Sequence, residues 1–173
     1  MPPPVDVLIE DERWRALDLE MLAQDAARAT FAVLELPADR FEISLLACDD
    51  ARIATLNEGF RGRAAATNVL SWPSAERGAR RDGDRPDLPA PAPDGAMPAE
   101  LGDIAISFET CEAEARAAGL ALRDHVAHLL VHGVLHLMGF DHMRDGDATL
   151  MESLEIRILA HLHVANPYVV QSA

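Results

Sequence analysis

Apolar and polar positions change their period several times along this chain, and each change marks a predicted element. Val5-Asp6-Val7-Leu8-Ile9 begins in alternation, which puts Val5, Val7 and Ile9 on one face of a first strand. From Arg13 to about Leu34 the period lengthens. Trp14, Leu17, Met21 and Leu22 form an i, i+3, i+7, i+8 stripe, read as one helix that Pro37 ends. Alternation returns over Phe41–Ala47, with Phe41, Ile43 and Leu45 facing the core. Asp49 or Asp50 can cap a following helix whose Ile53, Leu56 and Phe60 are spaced for burial. Thr67–Trp72 reads as a third strand stopped by Pro73, and Leu101–Ser107 as a fourth. Ser107 is placed to cap a helix from Phe108 to about Ala118, closed by Gly119. Leu122–Met138 is a long apolar helix, and Asp145 or Asp147 can cap a last one through about Leu162, striped by Leu150, Leu154 and Ile158. Four strands and about five helices outside strict βαβ alternation predict an α+β domain on one mixed sheet.

Between Pro73 and Glu100 the pattern lapses. Six of the 11 prolines fall there and large apolar side chains are nearly absent. Such a stretch buries too little surface to offset its ordering entropy, so residues 73–100 are read as a mobile loop between two sheet strands. It also carries Arg77, Arg80, Arg81 and Arg85, which are candidates for touching an anionic partner.

Candidate chemistry concentrates in His132-Gly133-Val134-Leu135-His136-Leu137-Met138-Gly139-Phe140-Asp141-His142. His132 and His136 are four apart and share one helix face. Gly139 stands where the helix ends and takes a left-handed turn at little cost, which can return His142 to the pair. Three imidazoles with a fourth position open is the ligand count of a catalytic zinc site. Ni²⁺ and Cu²⁺ also bind imidazole, so the residues alone leave the metal open. His125 and His128 are set aside as ordinary packing or surface residues, as are His161 and His163 near the end of the last helix. Metzincin proteases share this ligand spacing but carry a Glu after the first His as general base. Here that position is Gly133, so the site looks hydrolytic, through an ion-activated water, but not proteolytic.

The eleven-residue block resembles the signature of the YbeY family, bacterial single-strand-specific endoribonucleases. Leu56-Asn57-Glu58-Gly59-Phe60-Arg61-Gly62 with Thr67-Asn68-Val69-Leu70-Ser71-Trp72-Pro73, and Leu101-Gly102-Asp103-Ile104, are similar to two further family segments in the same order. The resemblance implies a zinc-dependent hydrolase that cuts single-stranded RNA in ribosomal RNA maturation, at the 16S 3′ end, and in ribosome quality control. It implies one Zn²⁺ per chain on His132, His136 and His142, with Arg61 as a catalytic-site residue that neutralises the phosphate. It further implies contact with the small ribosomal subunit and a ribosomal protein, with Asp103 as a partner-site candidate. Asp141 is a candidate for orienting a ligating imidazole. Departures from the family pattern fall at Arg63-Ala64-Ala65-Ala66 and at Trp72, and bear on substrate contacts rather than on the histidines.

Composition refines this picture. The 173 residues, 49% hydrophobic and 25% charged, suit a single packed domain over 1–173. No apolar run approaches the roughly 20 residues of a membrane span, and no signal-peptide pattern opens the chain, so a cytoplasmic protein is expected. Cys48 and Cys111 form no Cys-x-x-Cys pair and are read as reduced packing residues. Net charge is −14, and all 15 basic residues are Arg. That balance opposes broad electrostatic RNA binding and points to a local patch, with Arg52, Arg61 and Arg63 as candidates. It also keeps open a different class, an assembly factor that docks on the small subunit with a structural metal and does not cut. A metal hydrolase of small amides or esters is a third reading.

Overall fold

The structure, a computed structural model, describes residues 2–61 and 64–169. Among them the chain forms strands β1 (Val5–Ile9), β2 (Phe41–Cys48), β3 (Val69–Pro73) and β4 (Ala99–Ser107). Five α-helices join them: α1 (Leu19–Val33), α2 (Asp50–Arg61), α3 (Phe108–Ala118), α4 (Leu122–Leu137) and α5 (Asp145–His161). The strands make one mixed sheet in the order β1-β2-β4-β3, with β3 antiparallel to β4 and the other pairs parallel. This is the α+β architecture that the pattern of periods predicts.

Alternation sorts the sheet's two faces. Phe41, Ile43 and Leu45 of β2 and Ile104 and Ile106 of β4 meet α1, α4 and α5 in the main core. Cys48, Leu70 and Ala105 point the other way and meet Ile53 of α2. Leu101 and Ile104 are three apart yet both enter the main core, which a regular strand forbids. An irregularity resolves this: Glu42 pairs with Glu100 but Ile43 with Gly102, so Leu101 is an extra residue that resets the phase. Gly102 takes φ 138°, and a β-carbon there would overlap the Trp72 carbonyl.

The first predicted helix is broken. Glu12–Leu17 is a 3-10 segment, and Asp18 takes a left-handed conformation before α1 begins at Leu19. The break rotates the stripe, so Leu19 and Leu22 are buried while Met21 faces solvent. Trp14, in the 3-10 segment, is fully buried and donates its Nε1–H to the Cys48 carbonyl at 2.9 Å.

Capping follows the sequence in part. Asp49 caps α2 by accepting from Arg52 N at 2.8 Å, and Gly119 ends α3 in the left-handed region. Ser107 does not cap α3 with its side chain. Its hydroxyl donates instead to Asp50, whose Oδ1 also accepts from Thr110 N at 3.2 Å and Thr110 Oγ1 at 2.7 Å. Asp50 thus takes the first turn of a helix other than its own. Asp145 and Asp147 make no side-chain cap on α5; Asp147 accepts from Gly83 N at 2.9 Å and from Arg144 Nε at 2.6 Å.

Residues 74–98 carry no helix or strand, as their composition predicts. They are nevertheless tied to the domain at several points. Arg144 donates to the Ala79 and Arg80 carbonyls, Asp82 Oδ1 accepts from Asp147 N, Arg40 pairs with Asp94, and Ala92 is buried. Among the described residues no helix is long and apolar enough to cross a membrane.

Candidate metal centre

Helix α4 is apolar over most of its surface, and His128, His132 and His136 recur every four residues along one face. That face opens on a cleft of about 560 Å³ between β3, the start of the long loop and the C-terminal segment. Gly133 explains how the helix lies so close to the sheet: a β-carbon there would stand 3.1 Å from Ile104 Cδ1 and 3.3 Å from Ser71 Oγ. The position where proteases of this spacing carry their general base is here a packing glycine.

The helix ends in a Schellman turn. Phe140 N donates to Leu135 O at 3.1 Å and Gly139 N to His136 O at 3.0 Å, with Gly139 at φ 105° and Phe140 buried. This reversal delivers His142 to the helical pair. Its ring centroid lies 5.2 Å from that of His132 and 5.1 Å from that of His136. His132 Nε2 and His136 Nε2 approach to 2.9 Å.

One ligand nitrogen from each of the three histidines lies within 4.8 Å of the others. Two ligands of one tetrahedral zinc stand roughly 3.3 Å apart, given Zn–N bonds of about 2.0–2.1 Å. His132 Nε2 and His136 Nε2 stand close to that separation and the His142 nitrogen lies within 4.8 Å of both, so the three residues fit one ion. Burial, reinforced by repulsion from His132 and His142, pushes His136 down to about 4. Its ring is therefore neutral at physiological pH, the form that ligates metal.

Other expectations resolve differently. Asp141 spends its Oδ1 on His142 N at 2.7 Å and stays 3.9 Å from His142 Nδ1, too far to orient that ring by a hydrogen bond. The residue against a candidate ligand is Glu155 of α5, whose Oε1 lies 3.2 Å from His132 Nδ1. Sequence reasoning missed it, although an acid at the Met151–Glu155–Leu159 positions of a buried stripe was a visible signal. His125 pairs with Glu114 at 2.9 Å, and His161 and His163 are exposed at the end of α5.

Arg52 pairs with Glu10 and does not line the cleft. Arg61 is the last residue of α2, but its side chain, like that of Phe60 and all of Arg63, lies outside the described residues. Arg77 does line the cleft, and its guanidinium is engaged by the Leu137 carbonyl at 2.7 Å and by Ser74 Oγ at 2.9 Å. Both cysteines are buried, and burial pushes their thiols up to about 12, so they are packing residues.

An α+β domain in which α4 and the turn after it bring three imidazoles together beside an open cleft defines a candidate metallohydrolase. Residues 7–163 match the family described as endoribonuclease YbeY, and the chain belongs to that family. Among relatives named endoribonuclease YbeY, that of Dinoroseobacter shibae is 56% identical, covering 95% of this chain and 90% of its own. That of Cereibacter sphaeroides is 54% identical over 97% of this chain and all of its own length. A solution structure of a Thermotoga maritima protein shares the fold at a TM-score of 0.55, with 18% identity over 92% of this chain and 91% of that one.

Proposed function

We propose that the protein is a zinc-dependent endoribonuclease specific for single-stranded RNA. Its role is ribosomal RNA maturation at the 16S 3′ end and ribosome quality control, in the cytoplasm. The observation that carries this reading is the convergence of His132, His136 and His142 beside an open cleft in a chain of this family. These three residues would hold one Zn²⁺ per chain, the ion that three neutral imidazoles with room for a fourth ligand suit best. When bound, such an ion supplies Lewis-acid polarisation of a phosphoryl oxygen and acidifies water beside it.

The chain's own residues do the rest. Gly133 offers no side chain for proton transfer, so the general-base route of the spacing-matched proteases is closed. Tyr168 lines the cleft and supplies an aromatic ring on which an unpaired base stacks. Arg61 is assigned to fork onto the scissile phosphate and offset its extra transition-state charge. At net charge −14 the rest of the surface favours a basic ribosomal protein of the small subunit as docking partner.

The test is metal content together with cleavage of single-stranded RNA, for the native protein, His136→Ala and Arg61→Ala. Zinc near one per chain, lost in His136→Ala but kept in Arg61→Ala, with cleavage lost in both, is expected. Full cleavage by metal-free protein would overturn the reading.

A second reading has its own support. Among the described residues of the cleft the one arginine, Arg77, is already engaged by Leu137, which fits a small-subunit assembly factor that binds without cutting and uses the metal structurally. Against it, the His142 side chain is 53% exposed, whereas structural zinc sites are closed. His132→Ala unfolds the protein if the metal is structural and leaves it folded but inactive if catalytic.

A further inference from the structure

Glu155 is only 1% exposed, at a position where α5 otherwise presents Met151, Leu154, Ile158 and Leu159 to the core. A leucine or methionine would fill that space without the cost of burying a carboxylate. The carboxylate's donors all come from one place. Oε1 faces His132 Nδ1 at 3.2 Å, while Oε2 accepts from the Tyr168 hydroxyl at 2.8 Å and is in close contact with His128 Nε2. His128, His132 and Tyr168 all line the same cleft. Glu155 therefore serves the cleft from behind rather than the core around it.

His132 uses its two nitrogens in opposite directions: Nδ1 meets Glu155, and Nε2 points toward His136. We propose that Glu155 is a positioning residue for the metal ligand His132, and that Tyr168 of the C-terminal segment is the latch that keeps Glu155 aimed at it. The inference rests on the metal-site reading above. An acceptor at Nδ1 holds the proton there, leaves the Nε2 lone pair for the ion, and fixes the plane of the ring. By sharing Oε2 with His128 Nε2, the Tyr168 hydroxyl helps to keep the carboxylate from rotating away from His132. The chain turns back to bring Tyr168 there: His163 takes φ 59° after α5, and Asn166 Oδ1 accepts from Tyr168 N at 2.8 Å.

The experiment titrates metal-free wild type, Glu155→Gln, Tyr168→Phe and the double variant with Co²⁺, following its absorption spectrum, and with Zn²⁺ against a competing chelator. Circular dichroism establishes which proteins are folded. Glu155→Gln keeps the size of the side chain but replaces one acceptor oxygen with a donor, and its Kd should rise roughly tenfold to a hundredfold. Tyr168→Phe keeps the ring and removes only the hydroxyl at a partly exposed position, so it folds, and its Kd should rise several-fold. The double variant should be little weaker than Glu155→Gln alone, because Tyr168 acts through Glu155. Unchanged affinity in the folded single variants would overturn the proposal, and so would additive losses in the double variant. Should Glu155→Gln fail to fold, Tyr168→Phe decides alone. A wild type that binds neither ion would overturn the metal-site reading itself and this inference with it.

Discussion

The Arg77 guanidinium donates to the Leu137 carbonyl at 2.7 Å, so a cation from the long loop sits on the last residue of the helix that carries His132 and His136. The carbonyls of a helix's last turn lack intrahelical partners, and its dipole favours positive charge there. Burial lowers the pKa of Arg77, but a guanidinium still remains charged. Arg77→Ala should cost about 1–3 kcal/mol in chemical denaturation, from the charge-assisted bond and the carbonyl it leaves bare. Arg77→Lys should recover only part of it, since one ammonium does not reproduce the two-pronged contact to Leu137 and Ser74.

Gly139 meets the same loop residue. A β-carbon there would lie 2.6 Å from the Arg77 carbonyl oxygen, and the backbone holds φ 105°. Gly139→Ala therefore adds a left-handed strain to a backbone clash, together about 3 kcal/mol. Thermal denaturation should show the loss, and affinity for the metal proposed at the triad should fall with it, because this turn is what returns His142 to the pair.

Gly133→Glu would restore the residue that proteases of this spacing use, and it should not create a protease. Ile104 and Ser71 already crowd the place of a β-carbon at Gly133, and Ile104 is itself buried in the core. Overpacking and a buried charge should destabilise the protein by about 3 kcal/mol or more, read as a lower melting temperature with no peptide hydrolysis.

Asp50 makes stability depend on pH. Burial raises its carboxyl, but the hydrogen bonds from Ser107 and Thr110 outweigh burial and hold it below its ordinary value. The folded state then favours the ionised form. Its contribution is present in full above the unfolded carboxyl's pKa and is lost as pH falls through the lower folded one. Asp50→Ala should cost roughly 1–2 kcal/mol near neutrality, as loss of a helix cap does. The gap to wild type should narrow in acid, which urea denaturation at several pH values would measure.

How much of this was legible in the sequence follows from the range over which each feature is encoded. The periods of apolar residues placed the four strands and the helices that follow them, because a strand or helix face is written within a few turns of chain. The same locality placed the histidines: His132 and His136 share a face by helical spacing, and Gly139 turns the chain within three residues of His142. The break at Asp18 was not legible, since the segment before it is anchored by Trp14 to the Cys48 carbonyl, 34 residues away. Nor was the extra residue at Leu101, which is defined by pairing with a strand some sixty positions earlier.

Sequence by itself determined the order of elements, the mixed α+β class and the triad of candidate ligands, because each rests on contacts or spacings short enough to read from neighbouring residues. Only the tertiary structure decided what stands behind that triad. Glu155 lies 23 residues from His132, Tyr168 lies 13 from Glu155, and Asp50 reaches Thr110 across 60. Such partners are chosen by how helices and strands pack. A buried carboxylate shows its purpose only when the donors that surround it are known.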